Sequence, residues 1–198
     1  RVNQLPRTKS RVYKQRCSAT PKRLKNSKSS AGVEAKFKRN FILQKNSSMG
    51  TYTQILYQIV FRTKGNGKTL QKKGRQALYD YMVGILKNKN CNCFQIGGVE
   101  DQVHVVFSLH PSVALSYIVK VLKVASNVMI KAKALFPGFV SWADGYSAFT
   151  YSAEAKDNLI YYVQNQEHHH AGKSLEGELR ELYLEHDIEF DERYFMKD

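Results

Sequence analysis

From Gln102 to Leu109 the chain alternates, and this stretch constrains the fold more than any other. Val103, Val105, Phe107 and Leu109 face one way, and Gln102, His104, Val106 and Ser108 face the other. A period of two over eight residues specifies a strand buried on one face. Gln102 and His104, two positions apart, then stand side by side, within reach of one small ion or one phosphate oxygen. Glu100-Asp101 supplies the turn that starts this strand, and Gly97-Gly98 precede it.

The elements around that strand follow from periodicity and punctuation. Thr51 to Phe61, rich in Tyr, Ile, Val and Thr, reads as a first strand closed by the turn Lys64-Gly65-Asn66-Gly67-Lys68. Leu70, Leu78, Tyr79, Met82, Ile85 and Leu86 recur at helical spacing until Asn88 to Asn90 break the pattern. Cys93 to Gly97 is a short second strand, hairpinned to the alternating strand across Gly98 to Asp101. His110-Pro111 ends that strand. A second helix follows with Leu115, Ile118, Val119, Leu122, Ala125 and Met129 on its apolar face, stopped by Pro137-Gly138. Gly145 to Thr150 reads as a fourth strand. The order β-α-β-β-α-β specifies an α+β, ferredoxin-like antiparallel sheet with both helices on one face and the other face open.

A third helix is expected from Ser152 and Glu154 toward His170. On it Asn158, Tyr162 and Gln166 fall at i, i+4 and i+8, a polar stripe with a phenol at its centre, while Leu159 and Val163 form the packing edge. Beyond Gly172 a short helix carries Leu175, Leu179, Leu182 and Tyr183 on one side.

Two features together carry a resemblance to a known family. They are the strand Asp101-Gln102-Val103-His104-Val105-Val106 and the helix bearing Tyr162 with Gln166 four residues later. In this order and on this fold they resemble the insertion-sequence-200-like single-tyrosine transposases, which include the REP-associated tyrosine transposases. The likeness spans residues 49 to about 195, with Trp142, Gly145-Tyr146 and Asp191-Glu192-Arg193-Tyr194. The family usually has His where this chain has Gln102. The resemblance implies that Tyr162 is the nucleophile and that His104, Gln166 and Gln102 hold Mg²⁺ or Mn²⁺. It also implies a substrate of single-stranded DNA with hairpin ends, and a homodimer whose tyrosine helix can complete either subunit's site.

The chemistry suits the residue types. A phenol ionises near pH ~10 and attacks phosphorus poorly when neutral, and a divalent ion neutralises phosphate charge. Attack would exchange the phosphodiester for a 5′-phosphotyrosine and free a 3′-OH, so resealing needs no nucleotide cofactor. One imidazole and two amides form a site without negative charge, so Gln102 is expected to impair activity. A relative that only binds DNA hairpins is therefore the rival reading. An RNA-recognition module is a second, disfavoured because Phe107 lies on the buried side instead of the open face.

The net charge of +14 over 198 residues sits in one place. Residues 1–48 hold 14 Lys and Arg against the single acid Glu34, whereas the remainder is nearly balanced. With Pro6, Pro21 and many polar residues, 1–48 is expected to be a disordered basic extension ahead of a domain at 49–198, with Met49 a natural start. Lys64, Lys68, Lys72, Lys73 and Arg75, with Lys120 and Lys123, are candidate DNA phosphate contacts. Cys17, Cys91 and Cys93 lack the spacing of a zinc site and read as reduced thiols. No apolar run is long enough for a bilayer and no signal-peptide core is present, so no membrane association and a cytoplasmic location are expected.

Overall fold

The computed structural model describes residues 52–197 apart from 171, 173 and 194. The basic segment 1–48 and Tyr194 lie outside the described residues. The elements are β1 (Leu56–Arg62), α1 (Lys72–Asn88), β2 (Asn92–Gly98), β3 (Gln102–Ser108), α2 (Leu115–Ala132) and β4 (Ser147–Tyr151), then α3 (Lys156–Gln164), α4 (Gln166–His170) and α5 (Leu175–Glu185). The strands form one sheet in the order β2-β3-β1-β4, every adjacent pair antiparallel. This is the ferredoxin-like arrangement, in which each crossover helix spans one intervening strand.

Boundaries moved where pairing outranks propensity. β1 starts at Leu56 instead of Thr51, because its ladders end at Leu56↔Ser108 and Leu56↔Tyr151. β4 starts at Ser147, since Gly145 turns at φ 71°. Asn90, at φ 55°, makes the turn that follows α1.

Alternation in β3 divides the molecule into two layers of core. Val103, Val105 and Phe107, with Ile59 and Phe61 of β1, pack against Leu78, Met82 and Leu86 of α1 and Ile118, Leu122 and Met129 of α2. Trp142 closes this core, donating its indole N–H to Ser126 Oγ at 2.9 Å. The other face, expected open, is covered. Leu159 and Val163 of α3 pack on Leu56 and Val106, and Leu175, Leu179 and Leu182 of α5 pack on Val60 and Phe149. The Tyr162 helix thus covers the sheet of its own chain.

The expected third helix is two helices. It breaks at Asn165, whose side-chain Nδ2 donates to Tyr161 O at 2.8 Å and whose backbone N–H reaches Tyr161 O and Tyr162 O at 3.1 and 3.2 Å. A short amide side chain competing for helical carbonyls is a known way to end a helix. Tyr162 therefore lies in α3 and Gln166 opens α4.

Gly97 sets how close α3 comes. It pairs with His104 across β2 and β3, and a Cβ built on it would lie 2.1 Å from Val163 O and 2.9 Å from Val163 Cγ1. Only glycine lets the helix backbone rest on the sheet here, directly beside His104. Gly97→Ala is expected to lower stability by about 1–3 kcal/mol through overpacking, measured by urea unfolding. An unchanged midpoint and slope would mean that α3 is free to retreat at no cost.

Candidate active site

Four elements deliver side chains to one point beneath α3 and α5. β3 supplies Gln102 and His104, both on the face opposite the main core as the alternation dictates. α3 supplies Tyr162, α4 supplies Gln166, and α5 supplies Glu178, which sequence reasoning missed. The Glu178 carboxylate is the hub. Gln102 Nε2 donates to its Oε2 at 2.6 Å, Gln166 Nε2 donates to its Oε1 at 3.1 Å, and the Tyr162 hydroxyl donates to the same Oε1. His104 Nε2 lies 3.6 Å from that oxygen. The His104 and Tyr162 rings meet edge to face with centroids 6.2 Å apart.

Gln102 and His104 are fully buried, Gln166 is 1% exposed and Glu178 5%; Tyr162 is half-buried. Asn158, expected on the same stripe, faces solvent. A carboxylate at such depth is tolerable only when hydrogen-bonded on both oxygens, and this one is.

Behind His104 stands a second amide that sequence reasoning did not single out. The Tyr151 hydroxyl donates to Gln58 Oε1 at 2.7 Å, and Gln58 Nε2 lies 2.9 Å from His104 Nδ1. Gln58 is fully buried, on β1 next to β3. Its amide orientation decides which ring nitrogen carries the proton: with the amide Nε2 toward the ring, Nδ1 accepts; turned, Nδ1–H donates and the ring Nε2 keeps a lone pair. Gln58 and Tyr151 lie far from the motif in sequence, and only strand pairing brings them to it.

The donor set is one imidazole, one carboxylate and two amides. Among the described residues there is no group of three or more His, Cys, Asp or Glu that could hold a metal. The amides change that reckoning, because their carbonyl oxygens are hard donors suited to Mg²⁺, Mn²⁺ or Ca²⁺. Gln166 Oε1 is buried with no hydrogen-bond partner, an oxygen at hand for a hard cation. The residues fit a divalent ion.

The candidate DNA contacts are differently placed. Arg75 is buried: its Nε donates to Leu70 O at 2.7 Å, and its Nη1 reaches Gly98 O and Glu167 Oε1 at 3.2 and 2.9 Å. Lys72 pairs with Glu167 Oε2 at 2.7 Å. Both pair with Glu167 and so link α4 to α1, Arg75 from a buried position and Lys72 from the surface. Lys123 donates to Ala143 O and Gly145 O at 2.6 and 2.9 Å, securing the loop before β4. Lys64, Lys68, Lys73 and Lys120 are exposed. The first three lie near the end of β1 where Arg62 pairs with Gln102, whereas Lys120 is on α2, across the sheet.

Burial, and then the negative charge of Glu178, push the Tyr162 phenol far above its ordinary value of 10.0. Its folded value exceeds the unfolded one, so the stability it brings is complete below the unfolded value and is lost as pH rises through the folded one. Between about pH 9 and about pH 11, wild type should lose stability in urea unfolding more steeply than Tyr162→Phe. Parallel curves would show that the phenol ionises as readily in the fold as outside it.

Comparison with known proteins adds the family. The family model described as "Transposase IS200 like" matches residues 51–166, more than half of the chain. One similar solved structure, from Deinococcus radiodurans R1 and described as a transposase, is 23% identical with a TM-score of 0.46, covering 60% of this chain and 97% of its own. Another, a REP-associated tyrosine transposase bound to a REP hairpin, is 10% identical with a TM-score of 0.47, covering 62% of this chain and 74% of its own. No curated protein matches the chain significantly. No helix among the described residues is long and apolar enough to cross a membrane. The matched span opens just before β1, takes in the Gln102–His104 strand and Tyr162, and closes on Gln166: the chain belongs to the IS200-like transposase family.

Proposed function

We propose that this transposase cuts and rejoins single-stranded DNA at hairpin ends through a 5′-phosphotyrosine on Tyr162. One observation carries the reading: Tyr162, His104, Gln102 and Gln166, from three separate elements, converge on one buried carboxylate. Tyr162 is the half-buried member of the group, and the phosphate approaches from its side. The phenol oxygen attacks phosphorus, the P–O3′ bond breaks, and the strand leaves with a 3′-OH. The phenol proton passes to Glu178 Oε1, which already accepts it in a hydrogen bond, and is handed on to the departing O3′, so Glu178 ends the step as a carboxylate. Reversal with another 3′-OH rejoins the strand, so bond energy is conserved in the phosphotyrosyl ester.

A divalent ion, Mg²⁺ or Mn²⁺, held by His104, Gln166 and Gln102 would supply polarisation of the scissile phosphate. The exposed Lys64, Lys68 and Lys73 near the Gln102 end of the sheet suit the DNA backbone, Lys120 a more remote segment. Lys72, Arg75 and Lys123 act through the scaffold they brace. A homodimer belongs to the same reading.

The rival is a relative that still holds DNA hairpins but has stopped cutting them, the expectation that follows from an amide at position 102. An RNA-recognition module is less well supported, because α3 and α5 cover the face on which bases would stack and Val106 there is fully buried.

The test is to incubate the protein with labelled single-stranded DNA carrying the hairpin and flank from its own locus, with Mg²⁺ or Mn²⁺, and resolve adducts under denaturing conditions. Wild type should form a covalent adduct that Tyr162→Phe abolishes, and Gln102→His should raise its yield by about tenfold. An adduct only in Gln102→His would establish the binding-only relative. None in either, with DNA binding and folding intact, would sink the enzymatic reading.

A further inference from the structure

The family match ends at Gln166, yet the charge at the centre of the site comes from twelve residues later. Resting on the metal-dependent reading above, we propose that Glu178 is the site's anionic ligand: with His104, Gln102 and Gln166 it holds the divalent cation. It brings from α5 the negative charge that one imidazole and two amides lack.

Reach is the first support. The two oxygens of Glu178 lie 2.6 Å from Gln102 Nε2, 3.1 Å from Gln166 Nε2 and 3.6 Å from His104 Nε2. The chemistry of the amides is the second. Gln102 and Gln166 turn their NH₂ ends to the carboxylate, and a primary amide turned end for end presents a carbonyl oxygen at the same place. Groups that neutralise Glu178 by donating can thus join it in accepting a cation. His104 has the same two-way character through Gln58, whose amide, turned, accepts a hydrogen bond from Nδ1–H and leaves the Nε2 lone pair as a ligand.

Fixity is the third. Glu178 lies one turn into α5, whose first turn is capped by Ser174 Oγ accepting from Gly177 N at 3.2 Å. Leu175, Leu179 and Leu182 bury beside it on Val60 and Phe149. The carboxylate is held from a packed helix face, as a ligand should be. Affinity of oxygen-donor sites for hard cations is set largely by the number of charged ligands, so one carboxylate decides whether this site binds before DNA does.

The test measures Mn²⁺ binding by electron paramagnetic resonance on the full chain without DNA, for wild type, His104→Ala, Glu178→Gln and Glu178→Asp, with thermal melts to verify folding. Wild type should bind Mn²⁺, and Glu178→Gln should weaken binding by about tenfold or more. Glu178→Asp, which keeps the charge but not the reach, should fall between. Should Glu178→Gln fail to fold, loosened binding in Glu178→Asp supports the assignment and unchanged binding overturns it. Wild-type affinity in Glu178→Gln alongside loss in His104→Ala would overturn the role of Glu178 and leave the metal reading standing. No binding by wild type without DNA would overturn the role of Glu178, since a site lacking an anionic ligand waits for the DNA phosphate, and the adduct assay above then decides the metal-dependent reading by itself.

Discussion

A buried carboxylate is the constraint on which the covered face of the sheet depends. Removing an ionised group from water costs several kcal/mol unless other groups replace its hydration. Glu178 meets that requirement with donors from β3, α3 and α4 at once. By gathering all three, the carboxylate ties their positions together as well as setting the charge of the site. The apolar anchors on each side, Leu159 and Val163 for α3 and Leu175, Leu179 and Leu182 for α5, leave a polar seam between two dry patches. The seam holds Gln102, His104, Tyr162, Gln166 and Glu178.

Much of this arrangement was legible in the residues. Alternation from Gln102 to Leu109 assigns faces to β3 without ambiguity, since a slip of one residue would bury Gln102 and His104 in the main core. Helical spacing of Leu78, Met82 and Leu86 and of Ile118, Leu122 and Met129 located the helices that pack on the other side. The i, i+4 relation of Tyr162 and Gln166 placed them on one stripe, and they do meet the same carboxylate, although a break at Asn165 stands between them.

What was not legible depends on pairing between distant segments. Nothing around Glu178 distinguishes it from Glu176 or Glu181 until Leu175, Leu179 and Leu182 are known to face the sheet. The residue between them on that face then has to point inward. Gln58 and Tyr151 are silent for the same reason. The basic cluster shows the same limit: Lys72 and Arg75 read as a positive patch from their sequence neighbours, and the pairing of both with the one carboxylate of Glu167, on α4, is visible only in the fold. Local composition reports how many charges a segment has and not which of them are already satisfied.

The interruption at Asn165 has a mechanical consequence. Tyr162 rides on a helix anchored to the sheet through Leu159 and Val163, whereas Gln166 rides on one moored to α1 through Glu167. Two short rods meeting at a joint do not transmit torque as one long rod does. On the proposed mechanism, a strand esterified to the phenol would pull on α3 and its packing edge, while α4 would keep its mooring. The interruption would then separate the arm under tension from the arm that positions Gln166.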